Sequence, residues 1–340
     1  MSARILIIKV GALGDVVMAS TLVPAIREKW PRATIGWVVG RGHAPFVQLI
    51  AGVDEVIEVA DQLTGRHRMA AITALLAAWR RIGRRWDHVL IAHTDSRYPL
   101  LSAMSGAQTT TRFAHELAPR KGHWHGSEYL RLLPHEEFAN VAANFASLNM
   151  QSLPAAPLVG RVDALIVVAP GSARNGLRDD ALRRWPIGLW CDAISLLRQH
   201  GHRVAAVGGP ADSTECARAE QSGAINLCGR TSLLELMSVI RAADVVITHD
   251  AGPLHLALTL RRPVVALFGP TSPAERIPMG ANAVVLTRSN DLACAPCYDG
   301  LNYAKCSLNL CLTRITAVEV ANAAESLLAS EFSSRSTNNT

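Results

Sequence analysis

A chain of 340 residues exceeds what one hydrophobic core organises, so two domains are the default. Hydrophobic residues at 49% with charged residues at 18% make a globular balance and exclude a disordered chain. The net charge of +6 points to an anionic partner, yet aromatics at only 5% and the lack of a recognised nucleic-acid module argue against nucleic acid.

Arg4 to Val10 (RILIIKV) is branched and almost wholly apolar, the pattern of a parallel strand buried on both faces. The chain then turns at Gly11 and Gly14. From Asp15 the apolar residues Val16, Val17, Leu22, Val23 and Ile26 keep helical spacing, which predicts one helix stopped by Pro31. Thr34 to Val39 predicts a second strand. Val56 to Val59 and Val89 to Ala92 predict two more, with a long helix over Met69 to Arg85 between them. Strands alternating with helices imply a doubly wound parallel sheet.

Pro154, Pro157 and Gly160 break the pattern over Leu153 to Val162, which is read as a linker between domains 1–155 and 162–330. The same grammar then restarts. Strand Ala164 to Val168 runs into Pro170-Gly171-Ser172, and after a helix over Gly188 to His200, strand Arg203 to Val207 runs into Gly208-Gly209-Pro210. A helix over Ser232 to Arg241 precedes strand Asp244 to Thr248, which leads into His249-Asp250-Ala251-Gly252. Strand Pro263 to Phe268 leads into Gly269-Pro270-Thr271. The tail from Glu331 to Thr340 reads as frayed polymer. Ligands of open α/β sheets bind at the carboxyl ends of strands, where following helix starts attract phosphate. Ser172, Gly209, Asp212, Asp250, Ala251 and Gly252 are therefore candidate phosphate-binding positions, and under the resemblance given below they are the candidate donor-binding residues.

Gly11-Ala12-Leu13-Gly14-Asp15 is a poor dinucleotide fingerprint. It lacks the third glycine and puts a negative charge where a pyrophosphate would sit. A carboxylate at the mouth of the first strand suits either a helix cap or a general base facing a cleft. Asp250 and His255 fall around a helix start, where unpaired N–H groups bind phosphate. Arg183, before Arg184-Trp185-Pro186, is a guanidinium able to pair bidentately with a diphosphate.

Taken together, Ile7 to Val38, the Arg-Trp-Pro element, Gly208-Gly209-Pro210 and Asp244 to Pro273 resemble the heptosyltransferases, glycosyltransferase family 9. The resemblance implies a GT-B fold: two Rossmann-like, doubly wound parallel-sheet domains facing a central cleft. The acceptor would lie on the N-terminal domain and the nucleotide sugar on the C-terminal one. It further implies inverting transfer of heptose from ADP-heptose to the inner core of a lipopolysaccharide precursor, with no obligatory metal. The family's catalytic aspartate falls on Asp15, and its phosphate-binding aspartate, glycine and histidine on Asp250, Gly252 and His255. The chain departs from the family in carrying Ala251 where a hydroxyl residue is common, in having Arg183 for a lysine, and in a longer run from Gly171 to Arg183. Near a helix start, Asp15 is expected to stay ionised and to accept its proton late, as the sugar bond forms.

Gly14, Arg97 and Arg120 are candidate acceptor contacts. Arg80, Arg81, Arg84 and Arg85 crowd six positions in a basic stretch with Met69, Ile72, Leu75, Leu76 and Trp79, which suits either a peripheral contact with the inner membrane or an ordinary solvated helix face. No apolar run approaches the about 20 residues of a bilayer span and no signal peptide is evident, so a cytoplasmic protein is expected. Seven cysteines without an export signal argue for reduced thiols. Cys294, Cys297, Cys306 and Cys311 could supply a structural metal site, but the spacing lacks a second C-x-x-C and metal is not favoured. The competing readings are another transferase or a sugar-nucleotide epimerase of the same architecture, and a non-catalytic nucleotide-sugar-binding protein.

Overall fold

The computed structural model describes residues 3–60, 68–114, 117–158, 163–171, 180–300 and 302–337. The chain divides into two units, Met1–Ser152 and Leu153–Thr340, each built on its own parallel sheet.

The first sheet contains β1 (Arg4–Ile8), β2 (Thr34–Gly40), β3 (Glu55–Val59), β4 (His88–Ile91) and β5 (Thr109–Arg112), in the order β3-β2-β1-β4-β5. Its helices are α1 (Leu13–Ala19), α2 (Leu22–Lys29), α3 (Ala44–Gln48), α4 (Arg68–Ile82), α5 (Pro99–Ser102), α6 (His125–Tyr129) and α7 (His135–Phe138). Ile5 to Ile8 are fully buried, as a central parallel strand requires. On one face Leu6, Ile8, Val38, Val89 and Ile91 pack with Ala78 and Ile82 of α4 and with Trp86. Gly36 makes room for that indole: a Cβ there would stand 2.2 Å from Trp86 Cη2.

Two local expectations are corrected here. The single helix after Asp15 is broken into α1 and α2, because the Thr21 hydroxyl donates to the Met18 carbonyl at 3.0 Å and to the Gly126 carbonyl of α6 at 2.7 Å. Such local hydroxyl bonds compete with the helical ladder. Gly14 is not a turn position either, since it lies inside the first turn of α1. The sequence reading did not foresee β5, a short edge strand of exposed threonines that carries no apolar signal.

The second sheet contains β6 (Leu165–Ala169), β7 (Arg203–Ala206), β8 (Ile225–Asn226), β9 (Val245–His249), β10 (Val264–Phe268) and β11 (Ala283–Thr287), in the order β11-β10-β9-β6-β7-β8. Its helices are α8 (Ile187–Gln199), α9 (Ser213–Gln221), α10 (Leu233–Ala242), α11 (Gly252–Thr259), α12 (Leu310–Thr313) and α13 (Ala317–Thr337). A reciprocal cap between Ser232 and Glu235 starts α10. Ile194, Leu197, Val320, Ala324 and Leu328 of α8 and α13 close one face of this core. The tail expected to fray from Glu331 continues α13 to Thr337, with no glycine or proline to stop it.

Counted within its own unit, the second sheet has the doubly wound strand order 3-2-1-4-5-6, and the first has the same order without the sixth strand. In both, the order reverses direction beside the first strand: between β1 and β4, paired through Ile8 and Ile91, and between β6 and β9, paired through Ala169 and Thr248. Ligand crevices of such sheets open at these points, beyond the carboxyl ends of the strands.

Candidate active site

At the reversal point of the first sheet, the chain leaves β1 through Lys9 and Val10 and enters α1, whose first turn carries Asp15. The Asp15 side chain remains 39% exposed, and its Oδ2 lies 3.4 Å from the ammonium of buried Lys9. That ammonium also stands 5.7 Å from the centre of the Tyr129 ring. Beyond β4, the buried His93 accepts the backbone N–H of Val10 through Nε2 at 3.0 Å and stacks on Tyr98 with ring centres 3.5 Å apart. Burial, and then the positive charge of Lys9, hold the His93 pKa well below its ordinary value, so the ring is a neutral acceptor. Tyr98 is pushed upward, first by burial, with the carboxylates of Asp95 and Asp15 adding to it.

The two arginines read from the sequence as acceptor contacts have local partners. Arg97 folds back on Asp95, donating from its backbone N–H and from Nε at 2.9 Å. Arg120 donates from Nε and a terminal nitrogen to the fully buried Glu128 at 3.0 and 2.7 Å, and Arg131 joins at 2.9 Å. Burial alone would raise the Glu128 pKa, but Arg120 and Arg131 outweigh it and bring it down to about 2.

At the reversal point of the second sheet, His249 ends β9 and accepts the Trp185 backbone N–H at 2.7 Å and the Trp190 indole N–H at 3.3 Å, both through Nε2. Burial, with the charges of Arg184 and Arg183 adding to it, lowers its pKa to about 3. The neighbouring Asp250 is buried as well. Its Oδ2 faces Arg276 Nε at 3.4 Å and Arg183 at 3.5 Å, and its Oδ1 faces His255 Nε2 at 3.7 Å. Arg183 also donates to the Asp250 carbonyl at 3.0 Å and to Asp180 at 2.7 Å. Burial opposes ionisation of Asp250, yet Arg276, His255 and Arg183 hold its pKa well below the carboxylate range. Asp250 thus gathers three nitrogen-bearing side chains at the start of α11, where Ala251 is the extended cap residue and Gly252 the first helical one.

Arg276 was not foreseen from the sequence. It follows the Gly-Pro-Thr loop by a few residues, and nothing in its spacing marks it. Four buried polar atoms of this region have no hydrogen-bond partner among the described residues: Arg183 Nε, His249 Nδ1, His255 Nδ1 and the Thr271 hydroxyl. Asp212 is engaged by two neighbouring loops. Its Oδ2 accepts the Gly209 N–H at 2.9 Å, and a Cβ at Gly171 or Gly208 would fall 2.4 or 2.9 Å from its side chain, so it clasps the loops after β6 and β7. Ser172 lies outside the described residues, as does most of the run from Gly171 to Arg183.

All seven cysteines are free thiols. Cys294, Cys297, Cys306 and Cys311 line one cavity of about 250 Å³. Burial, then the neighbouring Cys297, Cys306 and Cys294, raise the Cys311 thiol to about 11. Among the described residues no three histidine, cysteine or acidic side chains are arranged to hold a metal ion. In the basic stretch Arg81 donates to the Glu58 carbonyl and Arg85 pairs with Glu55, while Arg80 and Arg84 are exposed. Among the described residues no helix is long and apolar enough to cross a membrane.

Residues 54–307 match the model of glycosyltransferase family 9 (heptosyltransferase). The lipopolysaccharide heptosyltransferase 1 of Salmonella typhimurium is 26% identical over 303 residues, covering 79% of this chain and 89% of that protein. Among solved structures, a family 9 glycosyltransferase from Veillonella parvula superposes with a TM-score of 0.76 at 23% identity, over 97% of this chain and 99% of that one. The ADP-heptose lipopolysaccharide heptosyltransferase II of Escherichia coli does so with a TM-score of 0.73 at 20% identity, over 96% and 99%.

Proposed function

Since the chain belongs to glycosyltransferase family 9, the heptosyltransferases, we propose that it transfers heptose from ADP-heptose to the inner core of a lipopolysaccharide precursor, inverting the anomeric carbon, with Asp15 as general base. The observation that carries this reading is the cation assembly around Asp250. A departing diphosphate gains negative charge in the transition state, and preorganised guanidinium groups and a helix start stabilise charge where it develops. Arg183, Arg276 and His255 supply that set, at the first turn of α11. A second carboxylate in direct contact with the diphosphate would repel it, so Asp250 is assigned to orienting the cations.

In a single displacement the acceptor oxygen attacks the anomeric carbon while its proton passes to the Asp15 carboxylate. The bond from that carbon to the phosphate oxygen breaks, and ADP leaves with the electron pair. That Asp15 is part exposed in the first turn of α1 supports its reading as the group that receives the proton. Gly14, Arg97 and Arg120 remain the proposed acceptor contacts. Arg183 and Arg276 neutralise the leaving group and His255 adds a ring nitrogen beside them, so the reading requires no further cofactor. It also has the enzyme working in the cytoplasm, at the inner-membrane surface where a lipid-linked acceptor would be met.

The test is to supply a panel of nucleotide sugars with a lipopolysaccharide core acceptor, measuring nucleotide release and the anomeric configuration of the product. ADP-heptose should be the preferred donor and the new bond should have the opposite configuration. Retention, or preference for another nucleotide sugar, would overturn the reading.

A further inference from the structure

We propose that Lys9 is a positioning residue for the transfer reaction, its buried ammonium fixing the Asp15 carboxylate and keeping it anionic until it takes the acceptor's proton. The inference rests on the reading of Asp15 as the base.

Lys9 directly follows the apolar strand β1 and is 5% exposed. A lysine in such a place is costly unless its charge is matched, so its presence calls for an electrostatic reason. The strand does not need the side chain. The backbone N–H of Lys9 donates to Val38 at 3.1 Å and its carbonyl accepts the Trp37 indole N–H at 3.2 Å, bonds that any residue could make there. What the side chain does is carry an ammonium along the protein interior to Asp15, 3.4 Å away, with the Tyr129 ring beside it. The carboxylate is thereby anchored by a buried ammonium, while the Asp15 side chain stays 39% exposed.

The charged and titratable groups around the pair come from several elements: Tyr129 on α6, His93 and Tyr98 beyond β4, Asp95 and Arg97 beside Tyr98, and His43 before α3, which lies 3.1 Å from a Cβ placed on Gly11. His93 is committed as an acceptor to Val10, and Arg97 is paired with Asp95. Lys9 holds its ammonium 3.4 Å from the Asp15 carboxylate. A nearby positive charge favours the ionised acid. Its removal makes Asp15 more basic and less fixed.

The experiment compares the full-length protein with Lys9→Met, Asp15→Asn and the double variant, measuring turnover against pH and the KM for ADP-heptose. Lys9→Met should lower kcat by about tenfold, move the acid limb of kcat upward by about one pH unit and leave the donor KM unchanged. It should add no further loss once Asp15 is asparagine, because its effect runs through that carboxylate. An unmoved acid limb, or the same loss in the Asp15→Asn background as in the parent, overturns the proposal. Asp15→Asn turning over near the parent rate instead overturns the base assignment itself. If Lys9→Met does not fold, Lys9→Gln carries the same expectations.

Discussion

Asp250 is an anion where a diphosphate is expected, and its surroundings resolve the conflict, because its charge is spent on Arg183, Arg276 and His255. The motif Asp250, Gly252, His255 was legible in the sequence. Its internal logic was not, since Arg276 enters only through the folding of the loop after Thr271. Lys9 stood in the quoted motif as a lone charge closing an apolar run, and that cost of burial was the overlooked signal. Arg120, read from the sequence as an acceptor contact, also pairs with buried Glu128, a partner that its spacing did not announce. Glu128→Gln should therefore destabilise the protein by about 2–4 kcal/mol, the upper part tempered because Arg120 can rehydrate. Because the Glu128 pKa is depressed to about 2, its stabilisation is present above the ordinary glutamate range and lost as pH falls through about 2. Denaturant unfolding at neutral pH checks this, and an unchanged midpoint would refute the structural role.

Element boundaries were legible where burial is two-sided and the strand is apolar throughout, as in β1, β6, β9 and β10. They were not legible where a hydroxyl redirects the backbone, as Thr21 does between α1 and α2, or where an edge strand is exposed, as β5 is. The end of β9 carries a prediction of its own. His249 stays neutral with its pKa near 3, whereas the unfolded chain protonates near 6.5. Folding stability from this group is complete above about pH 6.5 and falls on acidification toward pH 3, by about 1.4 kcal/mol per pH unit inside that window. His249→Leu should unfold at lower temperature, because the Trp185 and Trp190 N–H groups lose their acceptor, but should show a shallower loss between pH 6.5 and 5 than the parent. Parallel melting-temperature slopes for the two proteins would contradict the buried neutral histidine.

At the scale of the molecule, alternating strands and helices disclosed two parallel sheets, and the small-residue loops disclosed which strand ends matter. The charge surplus was harder to read, because a helix hides which arginines its neighbours neutralise. Arg81 and Arg85 are engaged with β3, whereas Arg80 and Arg84 are exposed, as are Ile72 and Leu76 of α4. Each basic side chain near an anionic surface contributes on the order of 1 kcal/mol and is screened within a Debye length. Binding to anionic vesicles should accordingly weaken with salt and with Arg80→Gln plus Arg84→Gln, and equal binding to neutral vesicles would make that face an ordinary solvated one. The account as a whole divides labour between a base in the first unit and a diphosphate site in the second. The most direct measurement is turnover and ADP affinity in Asp15→Asn beside Asp250→Ala. Asp15→Asn should lose roughly 100-fold or more in kcat with ADP affinity unchanged, and Asp250→Ala should bind ADP about tenfold more weakly. Turnover of Asp15→Asn within tenfold of the parent would contradict the central claim.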